Sequence, residues 1–343
     1  MTLPRLFLLA AFAAGLAAAT PAQAQQRLEK TDIQLSVGGK PLVYYLPLTI
    51  TDQLGYFKDA GLNVQIQDFP GGAKSLQALV GGSVDVTTGS YEHTIQMQAK
   101  NQPLMAVAQL GRFPGIGFGV LKSKADAYKG PQDLKGMKIG VTAPGSSTNF
   151  MVKYLMARNG LSPDDAAYIG VGGGASAVAA ARRGEIDAIS NTDPVISQLE
   201  SQDLIKVIYD TRTAEGAQQV YGGAYPAAVL YLPPAFAEAN PNTTQALVNA
   251  FVRGLKWIQK ATPEDIVAKM PDEYKLGDPD AYLKAVRSSM EMFAHDGRIP
   301  QEGPQNVLNV LSQFDDTTKG AKIDLAKTYT NQYVEKALAK YKD

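Results

Sequence analysis

The sequence contains no cysteine and only two histidines, His93 and His295. Without cysteine the chain cannot form a disulfide bond, even in an oxidising compartment, and it offers no thiol for a lipid anchor. Zinc sites with thiolate ligands are excluded for the same reason, and two histidines are too few for a multi-histidine metal centre. We therefore expect neither a metal nor any other cofactor.

An excess of charge of one sign is also missing, because 33 basic residues balance 33 acidic ones. Nucleic acids bind to basic protein surfaces, so we do not expect a nucleic-acid partner. The chain lacks the Walker spacing and has no Gly-x-Gly-x-x-Gly run after its first strand, which argues against nucleotide binding. Ser90 lacks the Gly-x-Ser-x-Gly setting of a hydrolase nucleophile, and we do not expect an enzyme.

One long apolar run stands at the N-terminus. Arg5 precedes an apolar segment over residues 6–19, and a small-x-small site, Ala22-Gln23-Ala24, follows. This order is typical of a secretory signal peptide, and the run is shorter than the about 20 residues of a membrane-spanning helix. An N-terminal anchor helix is the alternative. We predict cleavage after Ala24 and a freely diffusing protein of the periplasm.

The rest of the chain alternates short apolar runs with helical patterns, which indicates an α/β protein. Ten runs predict strands, at residues 33–37, 62–67, 84–87, 104–110, 117–122, 138–142, 168–171, 188–190, 204–209 and 227–232. Helices are predicted at residues 42–54, 75–80, 91–100, 148–159, 175–183, 244–260, 280–295, 304–313 and 325–340. Strand, loop and helix in this repeated order imply parallel sheets with right-handed crossovers.

Length and pattern together predict two lobes. A chain of 343 residues exceeds a typical single core. The alternation of strands and helices restarts near residue 117. After residue 232 the chain is predicted to be helical, and this helical tail has no strands of its own on which to pack. We predict that the tail returns to the first lobe, and that strands 117–122 and 227–232 connect the lobes across a cleft. Lobe 1 then comprises residues 25–116 and 228–343, lobe 2 comprises residues 117–227, and residues 1–24 are the signal peptide.

The predicted site lies in the loops after the strands, because ligands bind outside the carboxyl ends of strands in open α/β sheets. Two of these loops, 70–75 and 144–148, lead into predicted helices. Free backbone N–H groups and the helix dipole favour an anion there by about 0.3–2 kcal/mol. Ordinary N-capping is the alternative for each loop alone. Anion binding is the better interpretation if the two loops face each other across a cleft.

His93 and Arg112 each allow two interpretations, and His295 allows one. His93 could contact a ligand or pack against a helix. Arg112 with Phe113 could place a charge beside an aromatic wall, or it could lie in a solvated hinge. His295 is predicted to end a helix, where a basic residue is favourable without any function.

An ordered set of motifs gives the chain a family resemblance. The motifs are DQLGYFKDAGL at 52–62, Gly71-Gly72, ALVGGSVDV at 78–86, Gly89-Ser90, DLKGMKIGV at 133–141, PGSST at 144–148, RGEIDA at 183–188 and NTDP at 191–194. The set resembles the type II periplasmic solute-binding proteins of the nitrate, sulfonate and taurine and thiamine-pyrimidine-precursor group.

The resemblance implies a two-lobe periplasmic-binding-protein fold of type II with two hinge strands. It also implies a monomer that delivers a small solute to an ABC permease and its ATPase. Ligand contacts are implied in several loops, to which we add Tyr44 and Tyr225 as aromatic walls. The predicted ligand-binding residues are Gly39, Lys40, Tyr44, Gly71, Gly72, Ser90, Tyr91, His93, Arg112, Ser146, Ser147, Thr148, Asn191, Thr192, Asp193 and Tyr225.

The solute stays open between a nitrate-, sulfonate- or taurine-like anion and a pyrimidine, other heteroaromatic or carboxylate solute. One branch of the superfamily comprises pyrimidine-precursor synthases that consume their own histidine and carry a cysteine-rich iron-binding motif. The absence of cysteine argues against that branch. A secreted enzyme on the same architecture, or a protein that presents its ligand to a membrane sensor, are the remaining alternatives.

Overall fold

A computed structural model describes residues 27–342 of the chain. The predicted signal peptide and its cleavage site lie outside these residues. Among the helices of this described part, none is both long and apolar enough to cross a bilayer.

Residues 27–342 form ten strands in two five-stranded sheets. The strands are β1 Asp32–Val37, β2 Asn63–Asp68, β3 Val86–Ser90, β4 Met105–Gln109, β5 Ile116–Leu121, β6 Lys138–Val141, β7 Ala167–Gly170, β8 Ala188–Thr192, β9 Ile205–Asp210 and β10 Ala228–Leu232. Each one overlaps a strand predicted from the sequence.

The same residues form fifteen α-helices. They are α1 Leu46–Gln53, α2 Tyr56–Asp59, α3 Gly72–Val80, α4 Glu92–Ala99, α5 Lys122–Ala125, α6 Ser147–Arg158, α7 Ala175–Arg182, α8 Val195–Ser201, α9 Ala214–Tyr221, α10 Pro234–Ala239, α11 Pro241–Lys260, α12 Pro263–Lys269, α13 Pro279–Ser289, α14 Gly303–Leu311 and α15 Gln332–Lys340. The sequence had not predicted α2, α5, α8, α9, α10 or α12.

Both sheets are mixed, so the prediction of purely parallel sheets is wrong in one strand of each. The first sheet has the order β2-β1-β3-β10-β4, and β10 runs antiparallel to both of its neighbours. The second sheet has the order β7-β6-β8-β5-β9, and β5 runs antiparallel to β8 and β9. In each case the antiparallel strand is the one by which the chain enters from the other sheet.

The fold therefore has two lobes, one around each sheet. The first lobe contains β1 to β4 and β10, and the second lobe contains β5 to β9. The prediction that strands 117–122 and 227–232 connect the lobes needs correction, because β5 and β10 lie inside the sheets and pair on both sides. The chain crosses between the sheets in the segments that join β4 to β5 and β9 to β10.

The cores explain why the central strands are apolar along their whole length. Every residue of β3, β5, β8 and β10 is buried, because helices cover both faces of each sheet. The longest helix, α11, begins with proline in its first turn and lays its apolar face on α1 and α15.

The C-terminal tail departs from its predicted helices at two places. The predicted helix 280–295 ends at Ser289, so His295 does not end a helix. The reason is backbone pairing, since Phe293 forms an isolated bridge with Gly111 and Ala294 donates its N–H to the carbonyl of Leu110. The predicted helix 325–340 is likewise reduced to α15, because Tyr329 pairs with Ala106 at the edge of the first sheet.

Candidate ligand-binding site

A small buried cavity lies between the lobes, beside the carboxyl ends of the strands. Its volume is about 20 Å³, which is room for one water molecule, since about 10–15 Å³ suffices for that. Twelve residues line it: Gly38, Leu42, Tyr44, Tyr45, Gly72, Ser90 and His93 from the first lobe, and Thr142, Ser146, Ser147, Thr148 and Thr192 from the second. None of the twelve is an acid, so the wall carries no fixed negative charge.

Two helices point their N-termini at this cavity from opposite lobes. Neither α3 nor α6 has a side-chain hydrogen bond from its own N-cap residue, Gly71 or Ser146. Instead, the Ala73 N–H of α3 donates to Ser146 Oγ across the cleft at 2.9 Å. The two predicted anion-favouring loops therefore do face each other, and this hydrogen bond joins them.

Glycine permits the close approach of the two first-lobe loops at this point. A Cβ atom on Gly38 would lie 2.3 Å from the backbone nitrogen of Gly72. No side chain fits there, so the loop after β1 and the loop after β2 can touch only through their backbones. This contact holds the start of α3 against the end of the first sheet.

Two hydroxyl groups of the lining have no hydrogen-bond partner. They are Tyr44 Oη and Thr192 Oγ1, whose side chains are buried in opposite lobes. A buried polar group without a partner costs about 1–3 kcal/mol. Groups in this condition, on both walls of one cavity, are the ones that a bound solute would satisfy.

His93 lies in the cavity wall as a neutral base. Its Nε2 is 3.3 Å from the Gly145 carbonyl of the second lobe, and its Nδ1 is 3.4 Å from the Tyr231 hydroxyl. The rings of Phe150 and Tyr231 meet the imidazole edge-to-face at centroid distances of 6.0 and 6.3 Å. Burial lowers the pKa of His93 to about 4, so the side chain is uncharged at neutral pH.

Glu92 is a buried acid directly behind the wall, which sequence reasoning left out of the site. Ser90 Oγ donates to its Oε2 at 2.5 Å, and Tyr225 Oη donates to its Oε1 at 2.6 Å. Burial raises the pKa of Glu92, and the two hydroxyl hydrogen bonds act in the opposite direction. Tyr225 is itself stacked on Tyr221 at a centroid distance of 4.0 Å.

Half of the predicted ligand-binding residues line the cavity. These are Tyr44, Gly72, Ser90, His93, Ser146, Ser147, Thr148 and Thr192. The lining also includes Gly38, Leu42, Tyr45 and Thr142, which were not singled out. Gly38 and Leu42 lie in residues 38–44, which follow the first predicted strand and so fall where the strand-end rule predicts ligand contacts, whereas Thr142 is the last residue of the predicted strand 138–142.

Several predicted residues are engaged elsewhere. The backbone N–H groups of Gly39 and Lys40 both donate to Asp68 Oδ1, at 3.0 and 2.8 Å. Tyr91 Oη lies 2.5 Å from Thr328 Oγ1 in the core of the first lobe. Asn191 donates its side-chain amide to the Gly172 carbonyl at 3.0 Å. Gly71 touches the second lobe at Ala143 instead of the cavity.

Asp193 binds partners on both lobes and lies outside the cavity. Its carboxylate is 3.4 Å from the buried guanidinium of Arg212, which also pairs with Glu200 and Asp210. The hydroxyls of Ser288 and Ser289, in the helical tail, donate to Asp193 Oδ2 at 3.4 Å. Its carbonyl accepts the Val43 N–H at 2.8 Å. Asp193 thus connects the lobes.

Arg112 and Tyr225 line a second, open groove near the two crossings. This groove has a volume of about 410 Å³ and also contains His295, Asp296 and Arg298. Arg112 lies over the ring of Phe113, with its guanidinium carbon 5.7 Å from the ring centroid. In residues 27–342 no group of three or more His, Asp or Glu side chains is placed to hold a metal ion.

Solved structures of other proteins share this two-lobe architecture. The periplasmic nitrate-binding protein NrtA from Synechocystis PCC 6803 superposes with a TM-score of 0.72 at 17% identity, covering 91% of this chain and 89% of that chain. A protein from Bordetella bronchiseptica RB50 superposes with a TM-score of 0.91 at 54% identity, covering 93% of this chain and 100% of that one. The fold is that of the periplasmic binding proteins.

The chain belongs to the NMT1/THI5-like family, whose model matches residues 43–266. The predicted resemblance is thereby confirmed. A curated relative, the 4-amino-5-hydroxymethyl-2-methylpyrimidine phosphate synthase of Aspergillus parasiticus, is 26% identical over 308 residues, covering 85% of this chain and 84% of the relative.

Proposed function

We propose that the protein is the solute-binding component of an ABC importer and captures a small anionic or polar solute by closure of its lobes. The observation that carries this proposal is the buried cavity on which α3 and α6 converge, with an unpartnered hydroxyl on each wall. The fold supports it, since the fold's named members include a periplasmic nitrate-binding protein.

The charge of the cavity favours an anion. Its lining has no acidic side chain, His93 is neutral, and two helix N-termini supply backbone donors. Each N-terminus favours a negative group by about 0.3–2 kcal/mol, and more where water is excluded. A nitrate-, sulfonate- or taurine-like solute fits this electrostatic pattern. A pyrimidine or a carboxylate with few atoms is the alternative, because the aromatic side chains Tyr44 and Tyr45 form part of the wall.

Lobe closure follows from how the cavity is enclosed. A space of about 20 Å³ is too small for a solute larger than water, so a solute enters only if the lobes move apart. We take lobe 1 as residues 25–116 with 228–343 and lobe 2 as residues 117–227, hinged at the two crossings. The exported, monomeric state, and delivery to a permease and its ATPase at the inner membrane, belong to the same proposal.

A ligand screen tests the proposal directly. Thermal unfolding is followed with nitrate, bicarbonate, alkanesulfonates, small carboxylates and pyrimidines, and each positive result is titrated by calorimetry. A solute present at 100 times its Kd stabilises the folded protein by about 2.7 kcal/mol. Stabilisation by members of one chemical class is the expected result. If none of these solutes raises the unfolding temperature, the transport function is wrong.

A matched pair of variants locates the binding at the cavity. Thr192→Asp adds a negative charge to the wall, and Thr192→Asn adds a neutral group of the same size. For an anionic solute, we expect Thr192→Asp to abolish binding and Thr192→Asn to weaken it by less than a factor of about 10. Equal losses in both variants would argue against an anion.

A second candidate function rests on the curated relative named as a pyrimidine phosphate synthase. His93, the histidine of the cavity wall, is the residue such chemistry would involve. We propose binding without turnover, since the chain has no cysteine for the motif of that enzyme branch. Intact-mass spectrometry separates the two: a binding protein keeps its full mass after aerobic expression with iron supplied, whereas an enzyme that consumes its histidine loses mass at His93.

A further inference from the structure

We propose that Ser90 is a fixed hydrogen-bond acceptor in the cavity, and that it selects solutes that carry an N–H or O–H donor in addition to an acidic group. This inference rests on the proposed solute-binding function and narrows its substrate class. It makes Ser90 a specificity-determining residue and Glu92 the residue that positions it.

The first step is the setting of Glu92. Both of its oxygens are occupied by hydroxyl donors, one from Ser90 and one from Tyr225, at 2.5 and 2.6 Å. Distances of about 2.5–2.7 Å are typical of a hydroxyl that donates to a carboxylate. Within residues 27–342 Glu92 forms no salt bridge, so these two hydroxyls are what stabilises the buried acid. Neither can turn away without leaving a carboxylate oxygen unpaired.

The second step is the single proton of a serine hydroxyl. A hydroxyl has one donor and two acceptor positions. In this arrangement the Ser90 proton points to Glu92, so that Ser90 presents its lone pairs to the cavity that it lines, beside the Tyr44 hydroxyl. A serine in an ordinary setting would rotate to donate or accept as the ligand requires. Ser90 therefore disfavours a solute that presents only acceptors to it.

The third step concerns another part of the same lining, which offers hydrogen-bond donors where Ser90 offers an acceptor. At the start of α3 and α6 the lining residues are Gly72, Ser146, Ser147 and Thr148. The first turn of a helix and the hydroxyls of serine and threonine supply hydrogen-bond donors. These donors match an acidic group, whereas Ser90 matches a donor. A solute that satisfies both has an acidic group and an N–H or O–H group a few bonds apart, such as a hydroxy acid or an amino acid of small size.

The test uses acetate, glycolate and glycine, which share one carboxylate and differ in the second substituent. Glycolate adds a neutral donor and glycine adds a charged one. By calorimetry we expect wild-type protein to bind glycolate and glycine about tenfold more tightly than acetate, the factor expected for one paired buried hydrogen bond. Ser90→Ala removes the acceptor and should bring the three affinities to within about twofold of one another.

Tyr225→Phe is the matched control. It removes the other hydroxyl from Glu92 and perturbs the buried acid to a similar degree, but Tyr225 is not part of the cavity lining. The preference for the donor-bearing acids should persist in this variant. Circular dichroism and thermal unfolding establish that each variant is folded before its affinities are compared.

Three results would overturn the inference: equal wild-type affinities for the three acids, a preference that survives Ser90→Ala, or no binding of glycolate and glycine at millimolar concentration while another solute binds. In each of these cases the transport function stands. Failure of every solute in the wider screen, in contrast, removes the transport function and this inference together.

Discussion

At the scale of single residues, the cavity wall contains polar groups whose hydrogen bonding is incomplete. The hydroxyls of Tyr44 and Thr192 have no partner, and the His93 ring is held neutral by burial. Proteins keep most buried polar atoms paired. Two such exceptions, one from each lobe, line this cavity, where a bound solute would pair with them.

Tyr44→Phe should separate stability from binding. Removing an unpartnered buried hydroxyl leaves the free energy of unfolding unchanged or raises it by up to about 1 kcal/mol, while the affinity for the solute falls. Urea denaturation and calorimetry measure the two quantities. The comparison is Tyr168→Phe, whose hydroxyl donates to the Pro163 carbonyl at 2.6 Å and whose loss should lower stability by about 1 kcal/mol. A clear loss of stability in Tyr44→Phe would show that its hydroxyl has a partner.

His93 should make the protein less stable in mild acid. Its pKa is lowered by burial from 6.5 to about 4 in the folded state, so the unfolded chain binds a proton first as the pH falls. The stability it supports is complete above about pH 6.5 and is lost towards pH 4, by about 3 kcal/mol. Urea denaturation at pH 7, 5.5 and 4.5 measures this loss. In His93→Gln the decline should be shallower, and an identical decline would exclude His93 as its source.

At the scale of secondary-structure elements, the local sequence predicted strands well and their partners poorly. Apolar runs located all ten strands of residues 27–342, and four of these strands are buried along their whole length. The order of the strands depends on contacts between distant segments, which is why the antiparallel direction of β5 and β10 was missed. The short helices α8 and α9 were missed.

At the site, too, local sequence predicted some features, whereas others depend on contacts between distant segments. The strand-end rule located half of the lining, because it depends on local chain direction. It could not distinguish Thr192, which faces the cavity, from its neighbour Asp193, which pairs with Arg212. That difference is set by a side chain nineteen positions along the chain. Glu92 was omitted because its two hydroxyl partners, one of them Tyr225, are identified only by the fold.

The contact between the two helix N-termini should control closure. Ser146→Ala removes the acceptor of the Ala73 N–H. When the lobes of this variant close, the Ala73 N–H is buried without a hydrogen-bond partner. We expect weaker solute binding, by about tenfold, and a larger radius of gyration for the ligand-free protein in small-angle scattering. Ser312→Ala, a serine that bonds only within its own turn, is the control. Unchanged scattering and affinity in Ser146→Ala would show that this bond has no part in closure.

At the scale of the whole molecule, the lobes are connected by the helical tail as well as by the two crossings. Helix α13 packs on α8 of the second lobe, and α14 contacts both α4 and α6. Asp193 adds polar contacts between the second lobe and Ser288 and Ser289 of the tail. Relative motion of the lobes must therefore change contacts around Asp193.

Arg212→Met should destabilise the second lobe strongly. It leaves the buried carboxylate of Asp193 without a cation, a change that typically costs about 3–5 kcal/mol. Arg183→Met, which breaks the exposed pair with Glu185, is the matched control and should leave stability nearly unchanged. Urea denaturation compares the two. Similar small effects would mean that Asp193 is stabilised without Arg212.

The position of β10 also orders the events of synthesis and assembly. All five strands of the second sheet lie between residues 116 and 210, so that sheet can be completed while the chain is still emerging. The first sheet has a gap between β3 and β4 until Ala228–Leu232 arrives. A nascent chain that ends before this segment has all five strands of the second sheet. In its first sheet, β4 has no neighbouring strand to pair with. The last strand in the chain is thus the one that joins β4 to β3 and completes the first sheet.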